Sequence, residues 1–498
     1  MADKHTETFE IAIIGLGPVG ATLANLLGQM GVSTVVLELS DEISPLPRAV
    51  AFDDEVMRIF QSFGLSDAME KVAEVGEGAK FVDTDNKTLV YWERPMVRSS
   101  NGWFVNYRFN QPELEKILRD SLARLPSVSI KLGSEVVDLK QIGEEVEIVF
   151  VQGEREQKLR AAYVVGCDGG RSFVRQKMSV KFEDLGFHEE WLIIDLLLPE
   201  RDVDPDRFTY HYCGFPRTGS KVFVGSKRKR WELRMNEADD RKTIQSPDVI
   251  WDILKPWIKP PEAEIERTAL YTFHSTIAEK WRTGRVFLAG DAAHQTPPFM
   301  AQGMCAGIRD ASNLAWKLEQ VLRQGAPDQL LDTYESERSP HVREYINMTI
   351  EFGNLINKTA KSVTRGNPTN IGGGQQTVAQ LRPKLGLGIS AGDTSKRGRL
   401  LPQFLLENGR LLDDVTGYRC ALLLAQGSGS ADKFDFSLLS DFSDVGVQVI
   451  DAPGHGAQYW LEDADAVAVL VGADRNVIGT ARAVQDIAQL HPSNWLFR

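Results

Sequence analysis

Short apolar runs alternate with stretches of helical spacing through the first 350 residues. Phe9-Glu-Ile-Ala-Ile-Ile14 reads as a buried strand, Ala21 to Met30 as a helix that stops at Gly31, and Val32-Ser-Thr-Val-Val-Leu37 as a second strand. Tyr163-Val-Val-Gly166 and Val286-Phe-Leu-Ala289 are two more strands, each followed by a glycine and an acid. Beyond the turn Thr296-Pro-Pro-Phe-Met300, Ile308, Ala311, Ala315, Leu318 and Leu322 mark one face of a long helix. Between about 186 and 270 the pattern changes to strand-like runs, Glu190–Leu198 and Lys221–Gly225, which predict a sheet. Lys361–Ser395, with Gly372-Gly-Gly374, reads as a connecting loop or hinge. From about 396, runs such as Cys420–Leu424, Val447–Ile450 and Ala466–Val471 suggest a small α/β module.

The turns between these elements carry the chemistry. Gly15-Leu-Gly-Pro-Val-Gly20 sits between strand and helix, and Glu38 closes the next strand 18 positions after Gly20. Strand, helix, strand and acid together form a dinucleotide fingerprint: Gly15, Gly17, Pro18, Val19 and Gly20 let backbone approach a pyrophosphate, and Glu38 suits a ribose 2′-hydroxyl. A glutamate disfavours a 2′-phosphate, so the ligand is FAD or NAD. Asp168-Gly169 follows another strand, with Ser172 and Arg175 on the turn beyond it. Gly290-Asp291 ends a third strand, where Asp291 can accept hydrogen bonds from a ribityl chain. The helix start beyond Gln302 offers the N–H groups of Gly303 and Met304 to an electron-rich ring.

The three fingerprints in this order resemble those of the single-component FAD-dependent aromatic hydroxylases, the class A flavoprotein monooxygenases, in their phenol-hydroxylase branch. Pro297–Leu318, Pro47-Arg-Ala49, Asp53-Asp54-Glu55 and Asn110–Glu115 add to the likeness, which spans most of residues 8 to 350 and, more weakly, the C-terminal part. The resemblance implies an α/β fold. A Rossmann-like FAD domain (1–185 with 270–350) and a β-sheet substrate domain (186–269) would be followed by a connector (351–395). The last part, 396–498, would be a thioredoxin-like domain without C-x-x-C, used for packing or dimer contacts. It further implies tightly but non-covalently held FAD, NADH or NADPH as co-substrate, and O₂. The product would be a phenol of the hydroxyphenylpropionate kind hydroxylated ortho to its hydroxyl, through a C4a-hydroperoxyflavin. Arg48 and Gln111 match flavin-contacting positions, and Pro298 a proline that lines the ring site and offers its carbonyl. Asp53 stands where that branch carries an active-site aspartate and is the first candidate for the base at the phenol. Asp54, His211 and Tyr212 are the others. A flavin epoxidase or polyketide-type hydroxylase on a larger substrate shares these motifs. A flavoprotein-fold carrier shares only the first of them.

Composition narrows the partners. Asp plus Glu number 69 against 57 Lys plus Arg, giving −12 and a pI near 5.3, which disfavours nucleic acid. The N-terminus has no apolar signal core, and the apolar stretch Ala464–Ala473 is too short to span a bilayer, so a cytoplasmic enzyme is expected. Four dispersed cysteines and eight scattered histidines indicate neither disulfides nor a metal site. Arg217 could meet a substrate carboxylate but reads as a solvated loop residue, and Lys227–Arg230 as a solvated hairpin end.

Overall fold

A computed structural model describes residues 6–83, 85–94, 96–198, 207–214, 217–225, 227–364, 375–376, 382–406, 409–425, 436–451 and 454–497. Strand β1 (Glu7–Ile14), helix α1 (Pro18–Gln29) and strand β2 (Thr34–Leu37) form the expected unit. The helix begins three residues earlier than the hydrophobic pattern indicates. Pro18 occupies its first turn, where a missing N–H costs nothing, and Gly17 is the cap. β1 pairs in parallel with β2 and with Arg155–Gly166, which pairs in parallel with Val286–Leu288. Ile11 to Ile13, Val164, Val165, Phe287 and Leu288 are all buried, as strands covered on both faces require. The carboxyl ends of three neighbouring strands therefore lie side by side, the place where open parallel sheets bind ligands.

A second sheet accompanies this one. Its spine is the antiparallel pair Phe182–Leu197 and Glu264–Ala278, continued by Arg228–Arg234, Gly219–Phe223 and Phe208–Tyr212. It also takes in Gly78–Val82 and Thr88–Glu93, from within the segment read as flavin-binding. Strand alternation splits its faces: Leu192, Ile194, Trp231 and Leu233 pack on the helix Pro247–Leu254, and the opposite face encloses a cavity.

The helix Gln302–Arg323 runs beside α1, and Ile308, Ala311, Ala315 and Leu318 on its predicted stripe are fully buried. The helix Asp332–Thr364 follows and carries Pro340 within it. Gly372–Gly374 lie outside the described residues. A four-stranded sheet, Gln448–Asp451, Ala421–Leu424, Ala468–Val471 and Val477–Ala481, forms the C-terminal layer. On Ala421–Leu424, Leu422 and Leu424 face the main core, and Ala421 and Leu423 face a separate cluster with Leu461. Cys167, Cys213, Cys305 and Cys420 are free thiols. Among the described residues no helix is long and apolar enough to cross a membrane.

Candidate active site

The three fingerprint turns meet because their strands are neighbours. Cys167 N donates to Ile14 O at 2.8 Å and Ala289 N to Gly166 O at 2.9 Å, tying the first turn to the second and the second to the third. Gly15 takes a φ of +101°, and a Cβ there would stand 2.6 Å from Cys167 O, so the close pass needs glycine. Space at Gly17 and Gly303 is open within 4 Å of a would-be Cβ, on the side a ligand would fill. Asp168 has one oxygen held by Val174 N at 3.0 Å, while its buried Oδ1 has no partner among the described residues. Asp291 is exposed in the cleft and makes no hydrogen bond or ion pair within the described residues. Protein around the cleft raises its carboxyl, against the pull of His294 and Arg48. Ala301, at φ +54°, begins the helix Gln302–Arg323 without a side-chain cap, leaving the N–H groups of Gly303 and Met304 without intrahelical acceptors. An unsatisfied carboxylate oxygen, an open carboxylate, bare helix N–H groups and glycine-sized gaps form a set that fits FAD.

Buried ion pairs hold this frame. Asp310 accepts from Gly290 N at 3.1 Å, His294 Nε2 at 2.7 Å and Arg338 Nε at 2.9 Å, which fixes the Gly290-Asp291 turn on the helix behind it. The backbone at Arg48 is clamped from three sides. Gln111 Oε1 accepts from Arg48 N at 3.0 Å and Ala49 N at 2.6 Å, Arg230 donates to the carbonyls of Pro47 and Arg48, and Arg267 Nη1 donates to Pro47 O at 2.7 Å.

Next to the cleft lies a cavity of about 360 Å³. Pro298, Phe299, Met300 and Ala301 close it on the side of the third fingerprint, and Arg94, Arg108, His211, Ser220 and Glu232 are among its polar lining. The His211 ring lies 4.8 Å from Phe81 and 5.6 Å from Phe352, with Nδ1 2.8 Å from Ser220 Oγ. Burial, aided by the Arg108 charge, pushes its pKa down to about 3, so the imidazole is neutral at any working pH.

Several expected residues serve differently. Asp53 is not part of the cavity lining. It caps helix α2 (Asp54–Ser62) through Val56 N at 3.1 Å and is ion-paired with Arg309, which also holds Glu55 at 2.7 Å. Burial raises the Asp53 carboxyl, but Arg309 and the Val56 N–H outweigh it and hold it below the ordinary range, which makes it a poor base. Tyr212 alternates away from His211 and packs at a tilt, 4.9 Å from Trp257, outside the cavity. The Pro298 carbonyl takes Ala301 N at 3.0 Å rather than standing bare. Gln111 spends its amide on Arg48, Ala49 and Glu115, so it supports the cleft wall. Glu38 accepts from Leu16 N at 2.6 Å and Ser40 N at 2.9 Å and keeps lone pairs for a ligand. Arg217 is neither solvated nor in the cavity lining, being bidentate to Asp239 at 2.6 and 2.7 Å. Arg230, expected in solvent, is buried against Asp195 at 2.6 Å. Arg94, Arg108 and the Arg309 and Asp310 pairs escaped the sequence reading. Their only local signal was a charge within or just beyond a strand or helix that carries apolar residues.

Comparison with known proteins agrees with the geometry. Residues 8–349 match the family described as FAD binding domain. The chain is 38% identical to a probable NADH-specific resorcinol 4-hydroxylase of Rhodococcus jostii (strain RHA1), over 97% of this chain and 93% of that protein. It is 35% identical to a 3-(3-hydroxy-phenyl)propionate/3-hydroxycinnamic acid hydroxylase of Burkholderia cenocepacia (strain HI2424), over 84% of this chain and 79% of that one. The fold is that of the flavin-dependent monooxygenase PieE, solved with FAD and substrate, at a TM-score of 0.77, 21% identity and 98% coverage of both chains. It is equally that of aklavinone-11 hydroxylase, solved with FAD and aklavinone, at 0.77, 22% and 99% of both.

Proposed function

We propose, on the premise that this chain belongs to the FAD-binding-domain family of flavin-dependent aromatic hydroxylases, that it is an FAD-dependent monooxygenase consuming NADH and O₂ to hydroxylate a phenolic ring. The chemistry that FAD supplies when bound is acceptance of two electrons from the nicotinamide and activation of O₂ for transfer to carbon. Gly15–Gly20 and Glu38 would hold its dinucleotide part and Asp291 its ribityl chain. The helix start at Gly303 and Met304 would steady negative charge on its ring.

The remaining work falls to the cavity. Its apolar wall of Trp92, Phe299 and Phe352 keeps water from the reacting centre and lays an aromatic ring beside the third fingerprint. In the tautomer whose Nδ1 donates to Ser220, Nε2 of His211 is left to accept the hydrogen bond of a phenol hydroxyl, drawing electron density into the ring at the ortho carbon. A volume of about 360 Å³ suits one ring with a short substituent better than a polycyclic substrate. A cytoplasmic site of action follows from the supply of NADH.

The observation that carries this reading is the convergence of three fingerprints at adjacent strand ends beside an aromatic cavity with an imidazole in its wall. Its test is NADH oxidation by the yellow holoprotein against a panel of phenols under labelled O₂. Phenol-stimulated oxidation with label in a diol product is expected. A protein that consumes no more NADH with any phenol than without is not this enzyme.

A further inference from the structure

Arg94 is an arginine without an evident structural task. It follows the strand Thr88–Glu93, and its backbone N donates to Glu77 O at 2.8 Å. It lines the cavity, and its guanidinium makes no hydrogen bond or ion pair with any described residue. Asp53 and Asp54 act on it only through their fields, while the protein around it lowers its pKa. Arg94 keeps access to solvent, so its five donors, set in a rigid fork, are hydrated and remain open to a ligand.

Arg108 meets the same cavity from the strand Tyr107–Phe109, whose flanking aromatics are buried in the core. Nη2 donates to Thr209 Oγ1 at 3.3 Å, but the buried Nε has no partner among the described residues. Burial, and next the like charge of Arg94, push Arg108 down to about 10, with Glu232 pulling the other way. Two cations thus face one small space close enough to repel.

The carboxylates that line the cavity do not settle this repulsion. Glu232 is 3.9 Å from Arg230, and burial raises its carboxyl towards the neutral form. Glu93 has interactions of its own, and Glu351 makes no ion pair with either arginine. The donors that Arg94 and Arg108 leave to a ligand belong to charged groups, and charged donors bind an oxygen that carries charge about twice as strongly as a neutral one.

We propose that Arg94 and Arg108 form an oxyanion receptor in the substrate cavity, engaging an anionic oxygen of the aromatic substrate. The proposal rests on the function given above and specifies its substrate as an aromatic anion. That oxygen has two possible sources, a carboxylate substituent or the ring hydroxyl itself bound as phenolate. In the first case the arginines select the substrate and set its orientation. In the second they also favour loss of the phenol proton that His211 is too weak a base to take outright.

Binding to the holoenzyme, followed through the flavin absorbance, separates these sources. The probes are 3-hydroxybenzoate, 4-nitrophenol, whose yellow band reports the phenolate, and 1,3-dimethoxybenzene, which cannot become an oxyanion. The wild type is expected to bind an anionic probe more tightly than the ether. Arg94→Gln should weaken that anionic probe about tenfold or more, the loss of one charge-assisted hydrogen bond, with FAD content and the ether's affinity kept. Arg94→Lys, which keeps charge without the fork, should recover part of it. A loss confined to 3-hydroxybenzoate identifies a carboxylate, and a loss of the bound nitrophenolate band identifies the ring oxygen. Either supports the receptor. Unchanged affinity for both anions in Arg94→Gln, or an equal loss for the ether, overturns it. Phenol-stimulated NADH consumption is read separately, so a failed receptor and a failed hydroxylase give different results.

Discussion

His211 and Asp53 are both buried titratable groups, and what differs is the charge set beside them. Burial and then the Arg108 charge leave His211 neutral, with a pKa of about 3 against an ordinary value near 6.5. In the window between those values the unfolded chain binds a proton that the folded chain refuses, so this residue makes stability rise with pH there. His211→Gln, which can still bond Ser220, should flatten the loss of urea midpoint between about pH 6 and pH 4. His341, lowered in the same direction by burial and Arg338, leaves a residual slope. Identical slopes in variant and wild type would remove the assignment. Asp53, in contrast, is an anion locked to Arg309 and a helix cap. Asp53→Asn keeps the cap and should leave product formed per NADH close to wild type. His211→Gln should lower it by about tenfold, the size of one hydrogen bond that His211 accepts from the phenol. A coupling loss in Asp53→Asn alone would reverse the two roles. Asp291→Ala should increase the apo fraction after gel filtration with little change in fold, since the open carboxylate supports nothing else in the protein.

At the scale of elements, the Rossmann unit was legible because its signal is local: glycine spacing, a strand on each side and a terminal acid fall within 38 residues. Sheet membership was less so. Strands Gly78–Val82 and Thr88–Glu93 join the sheet through the pairing of the first with Phe208–Tyr212, over a hundred residues away, and no local period reports the partner. Spacing also gave the buried stripe of Gln302–Arg323 but not the fit of that helix to its neighbours. A Cβ on Gly307 would stand 2.6 Å from Val19 Cγ2 and 2.9 Å from Gly290 Cα, so glycine there lets the helix bring two fingerprints together. In an open helix Gly→Ala stabilises by about 1 kcal/mol. Gly307→Ala should instead push the helix off the first and third turns, lowering FAD retention while the far-ultraviolet circular dichroism stays native. Full retention would show that Val19 yields and that the contact is not limiting.

Across the whole molecule, the C-terminal layer is bolted to the flavin-side helices by charges that no motif announces. Asp413 accepts from Arg58 Nε at 2.6 Å and Nη2 at 3.0 Å on α2, and from Arg475 Nε at 2.9 Å on its own side. Arg58 also reaches Asn101 at 3.2 Å, and all four residues are essentially inaccessible to solvent. Asp474 provides a second bolt, taking Asn313 Nδ2 of the helix Gln302–Arg323 at 2.7 Å. Residues 396–498 look like a small module in sequence because a pairing between positions 58 and 413 leaves no trace in local composition. The consequence is mechanical: α2 begins at Asp53, Asp53 holds Arg309, and Arg309 lies on the helix whose N-terminus faces the flavin site. Asp413→Ala strands two buried guanidinium groups at once, a change that costs roughly 3–5 kcal/mol where one charge of a buried pair is lost. Because the bolt runs through α2, that loss should not stay in the C-terminal layer. Thermal unfolding of the variant should remain a single transition at lower temperature, and flavin fluorescence should rise within that transition. A variant in which the C-terminal layer melts first, with flavin still bound at the wild-type temperature, would show that the layer is an attached module and not part of the frame that holds the cofactor.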